Sequence, residues 1–146
     1  MSKAVSTNIS GIRPNLKQLL IARADWFARE LEDEISLTEY SDLSPAESRL
    51  LAHMAGKPCN MAELARRLGV SRQAVHKTVS GLSGRGILTL TDDPDRGNAK
   101  LVLYTDLGRQ VNRAGARIIE RIEERIATKI GPEALEQLRE LLARPW

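Results

Sequence analysis

Apolar positions recur at helical spacing along most of this chain and change to strand-like spacing only between positions 87 and 104. From Arg13 or Pro14 to about Ile35, Leu16, Leu20, Phe27, Leu31 and Ile35 form one stripe, and Leu19 and Trp26 add a second. A helix of that length spans roughly 34 Å, more than a small domain needs for its own core. Two stripes on one long helix predict that it is covered from two sides. Glu30, Glu32, Asp33 and Glu34 crowd its last turns, where they oppose the helix dipole. A second helix opens with Ser44 as cap, Pro45 at the first position and Glu47 completing a capping box, packs Ala46, Leu50, Leu51 and Met54, and ends near Gly56. Lys57-Pro58-Cys59 then leaves room for a turn or a single bridging strand residue.

Asn60 to Leu82 reads as two short helices around a tight turn. Asn60 and Glu63 form a capping box for the first, whose apolar face is Leu64, Ala65 and Leu68, and Gly69 supplies the left-handed position that stops it. Ser71 caps the second, in which Val75, Val79 and Leu82 lie on one stripe. Its other side carries Arg72, Gln73, His76, Lys77 and Ser80, long or polar groups with no carboxylate among them. Two helices so close in sequence must cross sharply, a helix-turn-helix, and the donor face suits a polyanion such as duplex DNA. Gly84 and Gly86 end that helix. Ile87–Thr91 and Lys100–Tyr104 then form a hairpin around Asp92-Asp93-Pro94-Asp95-Arg96-Gly97-Asn98. Its tip presents Arg96, with Lys100 just beyond, and a planar cation on such a tip is suited to a minor groove. The three aspartates repel phosphate unless one of them orients Arg96.

Thr105 caps a long helix from about Asp106 to Ile130, with Val111, Ile118, Ile122, Ile126 and Ile130 inward and Arg117, Arg121 and Arg125 alternating with Glu120, Glu123 and Glu124 on an ion-paired outer face. Gly131-Pro132 breaks it, and a final amphipathic helix runs from Glu133 to about Arg144 with Leu135, Leu138, Leu141 and Leu142 on one side. Both ends of the chain thus carry more apolar helical surface than the middle can bury, which predicts a homodimer.

Charge sharpens this picture. The chain has 22 basic and 19 acidic residues, and the excess is local: 5 against 7 up to Leu43, 9 against 5 from Ser44 to Thr105, and 8 against 7 thereafter. The basic segment coincides with the helix-turn-helix. One cysteine, Cys59, excludes an intramolecular disulfide and a multi-cysteine zinc site and fits a reducing compartment. With no signal-like or membrane-length apolar run, the expectation is a soluble cytoplasmic protein without membrane partner, in which the Asn8-Ile9-Ser10 glycosylation pattern is a chance match and the residues up to about Ile12 form a tail or frayed turn. Catalysis would need a converging set, and the only histidines, His53 and His76, fall on different helices, so no enzyme activity, cofactor or metal is expected. His53 reads as a packing residue.

The order of elements, with LSPAESRLLAHM, MAELARRLGVSRQAVHKTVSGLSGRGIL and DPDRGNAKLVLYTDLG in succession, resembles the MarR family of winged helix-turn-helix transcriptional regulators over roughly Leu16 to Ile130. The resemblance implies a mainly α (α+β) winged helix-turn-helix chain of one unit, 1–146. Residues 13–43 and 106–146 would be dimerisation helices, and 44–105 the DNA-binding lobe. It implies a regulator, most simply a repressor, that binds a palindromic operator as a homodimer. Ser71, Arg72, Gln73, His76 and Lys77 match recognition-helix positions, and Arg96 matches the wing arginine with Asp95 as its orienting partner, Lys100 following. It also implies a small aromatic effector between the dimerisation helices and the lobe, with Trp26 and Tyr40 as candidate lining. Departures are Gly81 and Gly84 near the end of the recognition helix, Tyr104 where leucine is usual, and Gly97-Asn98 at the tip. Cys59 lies outside the first helix, where peroxide-sensing members keep their reactive thiol, so a thiol switch is not expected. The alternative is a winged helix that binds only protein.

Overall fold

The computed structural model describes residues 13–146, so the tail and the Asn8-Ile9-Ser10 pattern lie outside the described residues. Helix α1 (Leu16–Ser36) begins where Asn15 and Gln18 cap each other: the Asn15 side chain accepts from the Gln18 N–H and the Gln18 side chain from the Asn15 N–H, both at 2.9 Å. That box sets the start just after Pro14. Helix α2 (Pro45–Met54) has the expected box, with Ser44 Oγ accepting from the Glu47 N–H at 3.1 Å and Glu47 Oε2 from the Ser44 N–H at 2.9 Å. It closes through left-handed Ala55 and Gly56. Strand β1 (Cys59–Asn60) is a two-residue strand rather than a single bridge.

Helices α3 (Met61–Leu68) and α4 (Arg72–Gly84) follow, then β2 (Leu88–Asp92) and β3 (Lys100–Tyr104). The antiparallel sheet has the order β1-β3-β2, with Cys59 opposite Val102 and Leu88 opposite Tyr104. Leu50, Met54, Leu64, Val75, Val79, Leu82, Leu88 and Val102 are each 2 % exposed or less. Every element from α2 to β3 except β1 contributes to that set, and at about 1.5–3 kcal/mol per buried aliphatic side chain this core holds the middle of the chain together. Tyr104 keeps its place in it because its hydroxyl donates to the buried Leu51 carbonyl at 3.0 Å.

Helix α5 (Asp106–Ile130) starts on Thr105, whose Oγ1 accepts from the Gly108 N–H at 3.0 Å. The Thr105 N–H donates to the Ile87 carbonyl at 3.1 Å, and its hydroxyl lies 3.0 Å from the same oxygen and 2.5 Å from that of Gly86. The first turn of α5 is thereby laid directly on the segment that leaves α4. Helix α6 (Pro132–Ala143) folds back along α5.

Two of the four acids that end α1 find partners here. Arg125 of α5 meets Glu30 at 3.1 Å and Glu34 at 3.2 Å, and Arg121 meets Glu34 at 3.4 Å. Arg139 of α6 reaches Glu123 at 2.9 Å. Arg121, Arg125 and Glu123 therefore do not simply alternate on a solvated outer face, as their order suggested; they strap α1 and α6 to α5. All these groups are partly exposed, so each pair contributes modestly. Neither α1 nor α6 buries a residue within one chain. Leu16, Leu19, Ile21, Leu138, Leu141 and Leu142 remain 42–59 % exposed.

Candidate nucleic-acid interface

Helix α4 is fixed from behind and open in front. Ser71 Oγ accepts from the Ala74 N–H at 3.1 Å and sets its first turn, while Val75, Val79 and Leu82 are buried. Ser71, Arg72, Gln73, His76, Lys77 and Ser80 are all exposed. Among the described residues, the side chains of Arg72, Gln73 and Lys77 make no hydrogen bond or ion pair. Ser80 Oγ sits 3.4 Å from His76 Nδ1, and when that hydroxyl donates, the ring proton stays on Nε2 as an outward donor. The face thus presents donors that water alone satisfies, the condition under which exchange for base edges or phosphate oxygens carries no loss of internal bonds.

Helix α3 stands before it, stopped by left-handed Gly69 at φ 66°. Its start departs from the expected box: Asn60 Oδ1 accepts from the Glu63 N–H at 2.8 Å, but the Glu63 carboxylate does not turn back. It goes forward to Arg66 at 2.5 Å and Arg67 at 2.8 Å. Two guanidinium partners on the next turn outcompete one backbone N–H, and their hydrogen bonds lower the Glu63 pKa to about 2.

The wing corrects the expectation for Asp95. Arg96 is exposed and makes no ion pair among the described residues. Asp93, 9 % exposed, organises the tip instead: its Oδ1 accepts from the Asp95 N–H at 2.9 Å and its carbonyl from the Arg96 N–H at 3.3 Å. The Asp93 N–H and the Arg96 carbonyl then close on Ala99, each at 2.9 Å. Such an aspartate turn fixes backbone without touching the guanidinium, so Asp95 is not the orienting partner in the free chain. Lys100 is not a free cation either. It pairs across the strands with Asp92 at 2.5 Å, which lowers the Asp92 pKa.

The predicted site residues therefore fall into two groups, four on α4 with Ser71 as its cap, and the remainder on the β2–β3 hairpin. Sequence reasoning missed Arg85, the residue just beyond α4. Its guanidinium meets Asp42 Oδ1 at 2.6 Å and Glu47 Oε2 at 3.1 Å. A lone arginine after a helix carries no signal of that role until its partners, 38 and 43 residues earlier, are brought to it.

Trp26 and Tyr40 do not line one site. Tyr40 borders an apolar cavity of about 90 Å³ between α1, α2 and α5, with Leu31, Leu51, Val111, Asn112 and Ile118. Trp26 borders a separate groove of about 780 Å³ between α1, α5 and α6, with Phe27, Ile126, Leu135, Leu138 and Leu142. Cys59 is buried and burial pushes its thiol pKa up, away from the reactive thiolate. Among the described residues no cluster of three His, Cys, Asp or Glu side chains could hold a metal ion, and no helix is long and apolar enough to cross a membrane.

A sequence profile described as MarR family matches residues 41–97. An uncharacterized protein of Mycobacterium tuberculosis is 31% identical over 99 residues, 68% of this chain and 69% of the relative. Among solved structures, wild-type apo MarR from E. coli superposes with a TM-score of 0.72 at 18% identity over 90% of this chain and 96% of that one. Streptococcus pneumoniae FabT, in a structure of its complex with DNA, gives 0.71 at 16% identity over 87% and 90%.

Proposed function

This chain belongs to the MarR family of winged helix-turn-helix transcriptional regulators, and we propose from that premise that it binds a palindromic operator as a homodimer and represses the genes beside it. The observation that carries this reading is the face of α4: Arg72, Gln73, His76 and Lys77 exposed together, on a helix whose back is buried at Val75, Val79 and Leu82. Inserted in a major groove, Gln73 and His76 would read base edges while Ser71, Arg72 and Lys77 hold phosphates. Arg96 would enter the flanking minor groove, and Lys100 would support the wing from its pair with Asp92. The relative seen with DNA, FabT, supports a nucleic-acid role for this fold.

The second copy would cover the groove between α1, α5 and α6, where Leu138 and Leu142 are 43 % and 49 % exposed. The cavity beside Tyr40 is the place for an effector. Among the described residues no lysine, arginine or histidine lines it, so an uncharged aromatic molecule suits it better than an anion.

The test is fluorescence anisotropy on the intergenic DNA next to the gene, over a series of salt concentrations. Binding should fall steeply with salt as counterions are released. Arg96→Ala should weaken it evenly across sequences and flatten that slope, whereas Gln73→Ala or His76→Ala should change operator preference by about 1–3 kcal/mol per lost base contact. Absent or salt-independent binding would refute the assignment.

A further inference from the structure

We infer that Arg85 is a positioning residue for DNA binding: without touching DNA, it fastens the trailing end of the recognition helix α4 to the α1–α2 connection through Asp42 and to the first turn of α2 through Glu47. The inference rests on the reading of α4 as the recognition helix. A helix whose front must stay free of internal partners can be aimed only from its back and its ends. The leading end is capped locally by Ser71. At the trailing end, the last turn contains Gly81 and Gly84, each unfavourable in a helix by about 1 kcal/mol relative to alanine, and the Ser83 hydroxyl is buried with no hydrogen-bond partner among the described residues. Local chemistry there is weak.

Arg85 supplies the hold from outside. Its fork spans two carboxylates from different elements, Asp42 at 2.6 Å before α2 and Glu47 at 3.1 Å in its first turn, and it also reaches the Asp42 carbonyl at 3.4 Å. The Glu47 carboxylate is the better shielded partner, with its side chain 15 % exposed against 71 % for Asp42. The same Glu47 Oε2 also accepts from the Ser44 N–H, so the oxygen that Arg85 grips is already immobilised by the α2 cap. On the opposite side the two residues after Arg85 are gripped by Thr105 through the Gly86 and Ile87 carbonyls. The trailing end of α4 is therefore held between the α1–α2 connection and α5. The cavity beside Tyr40 lies between those same two supports, with Leu43 and Ser48 on one wall and Val111 and Asn112 on the other.

The test compares Arg85→Gln, Asp42→Asn/Glu47→Gln and the triple variant by anisotropy on operator DNA, at a temperature where circular dichroism shows each fully folded. Arg85→Gln should weaken binding roughly tenfold, the scale of one charged hydrogen bond, yet leave the salt slope at its wild-type value because no phosphate contact is lost. The triple variant should bind no worse than Arg85→Gln, since one joint has been opened in both. Amide exchange in the free protein should rise at residues 79–84 and not in the middle of α5. Unchanged affinity of Arg85→Gln, a flattened salt slope, or additive losses in the triple variant would overturn the inference and leave the regulator reading standing. Failure of the wild-type protein to bind DNA would overturn both.

Discussion

Gly108→Ala tests how α5 is joined to the segment that leaves α4. A Cβ added at Gly108 would lie 2.0 Å from the Ile87 carbonyl oxygen and 3.1 Å from both the Ile87 carbonyl carbon and Tyr104 Cδ1. Carbon ordinarily stops about 3.3 Å from such an oxygen, so the first turn of α5 and the segment after α4 must separate by about 1 Å. The oxygen in the way is the acceptor for the Thr105 N–H and lies within reach of its hydroxyl. Losing the Thr105 N–H bond and the one bond its hydroxyl donates, shared between this oxygen and that of Gly86, at about 1 kcal/mol each, with overpacking of about 1–3 kcal/mol, outweighs the gain of about 1 kcal/mol from replacing a helical glycine. The net expectation is a loss of about 2–4 kcal/mol. Gly115→Ala, two turns along the same helix, is the control: beyond its chain neighbours and the backbone of its own helix, no atom of the described residues lies within 4 Å of its added Cβ. It should therefore stabilise by about 0.5–1 kcal/mol. Urea unfolding followed by circular dichroism, at one protein concentration for all three proteins, gives both values. A Gly108→Ala protein within about 0.5 kcal/mol of wild type would refute this account of the junction.

Two further expectations concern charge and assembly. The Glu63 pKa is lowered from its usual 4.5 to about 2 by Arg66 and Arg67, so the stability it contributes is complete above about pH 4.5 and is lost as pH falls toward 2. The difference in Tm between wild type and Glu63→Gln should narrow across that window, and a difference that stays constant down to pH 2 would show that the pairs contribute nothing. Leu138→Glu, at a half-exposed position lining the groove between α1, α5 and α6, should convert the proposed dimer to monomers in sedimentation experiments while the winged helix stays folded; an unaltered sedimentation coefficient would refute this groove as the dimer contact.

Much of the fold was legible because its signals are local. Ser44 with Glu47, Ser71, Gly69, Thr105 and the Gly131-Pro132 break each act within four residues, and the structure ends or starts helices beside each of them. The β3 span matched residue for residue, while β2 runs one residue later than its apolar pattern, to Asp92, because Asp92 pairs with Lys100. What failed was partner choice. Glu63 had a backbone N–H within reach by spacing, but Arg66 and Arg67 compete for the same carboxylate. Asp95 is adjacent to Arg96 in sequence, yet it is the buried Asp93 whose side chain shapes the turn. Glu30 and Glu34 near the end of α1 made no sense within their own helix, because the arginines that pair with them lie some 90 residues later.

Gly81 shows how the demands on α4 conflict. As a helix former it is a poor choice, and alanine there would add about 1 kcal/mol of propensity. Its added Cβ would, however, stand 3.2 Å from Glu47 Oε1, tighter than ordinary contact, and would push on the carboxylate whose other oxygen holds both the Ser44 N–H and Arg85. Glu47 cannot retreat far without giving up the α2 cap. The missing side chain therefore lets α2 approach the trailing turn of α4 closely enough for the Arg85 fork to close. Propensity within the helix is given up for a fastening outside it, which fits the proposed role of α4 as a helix whose front is left free for DNA.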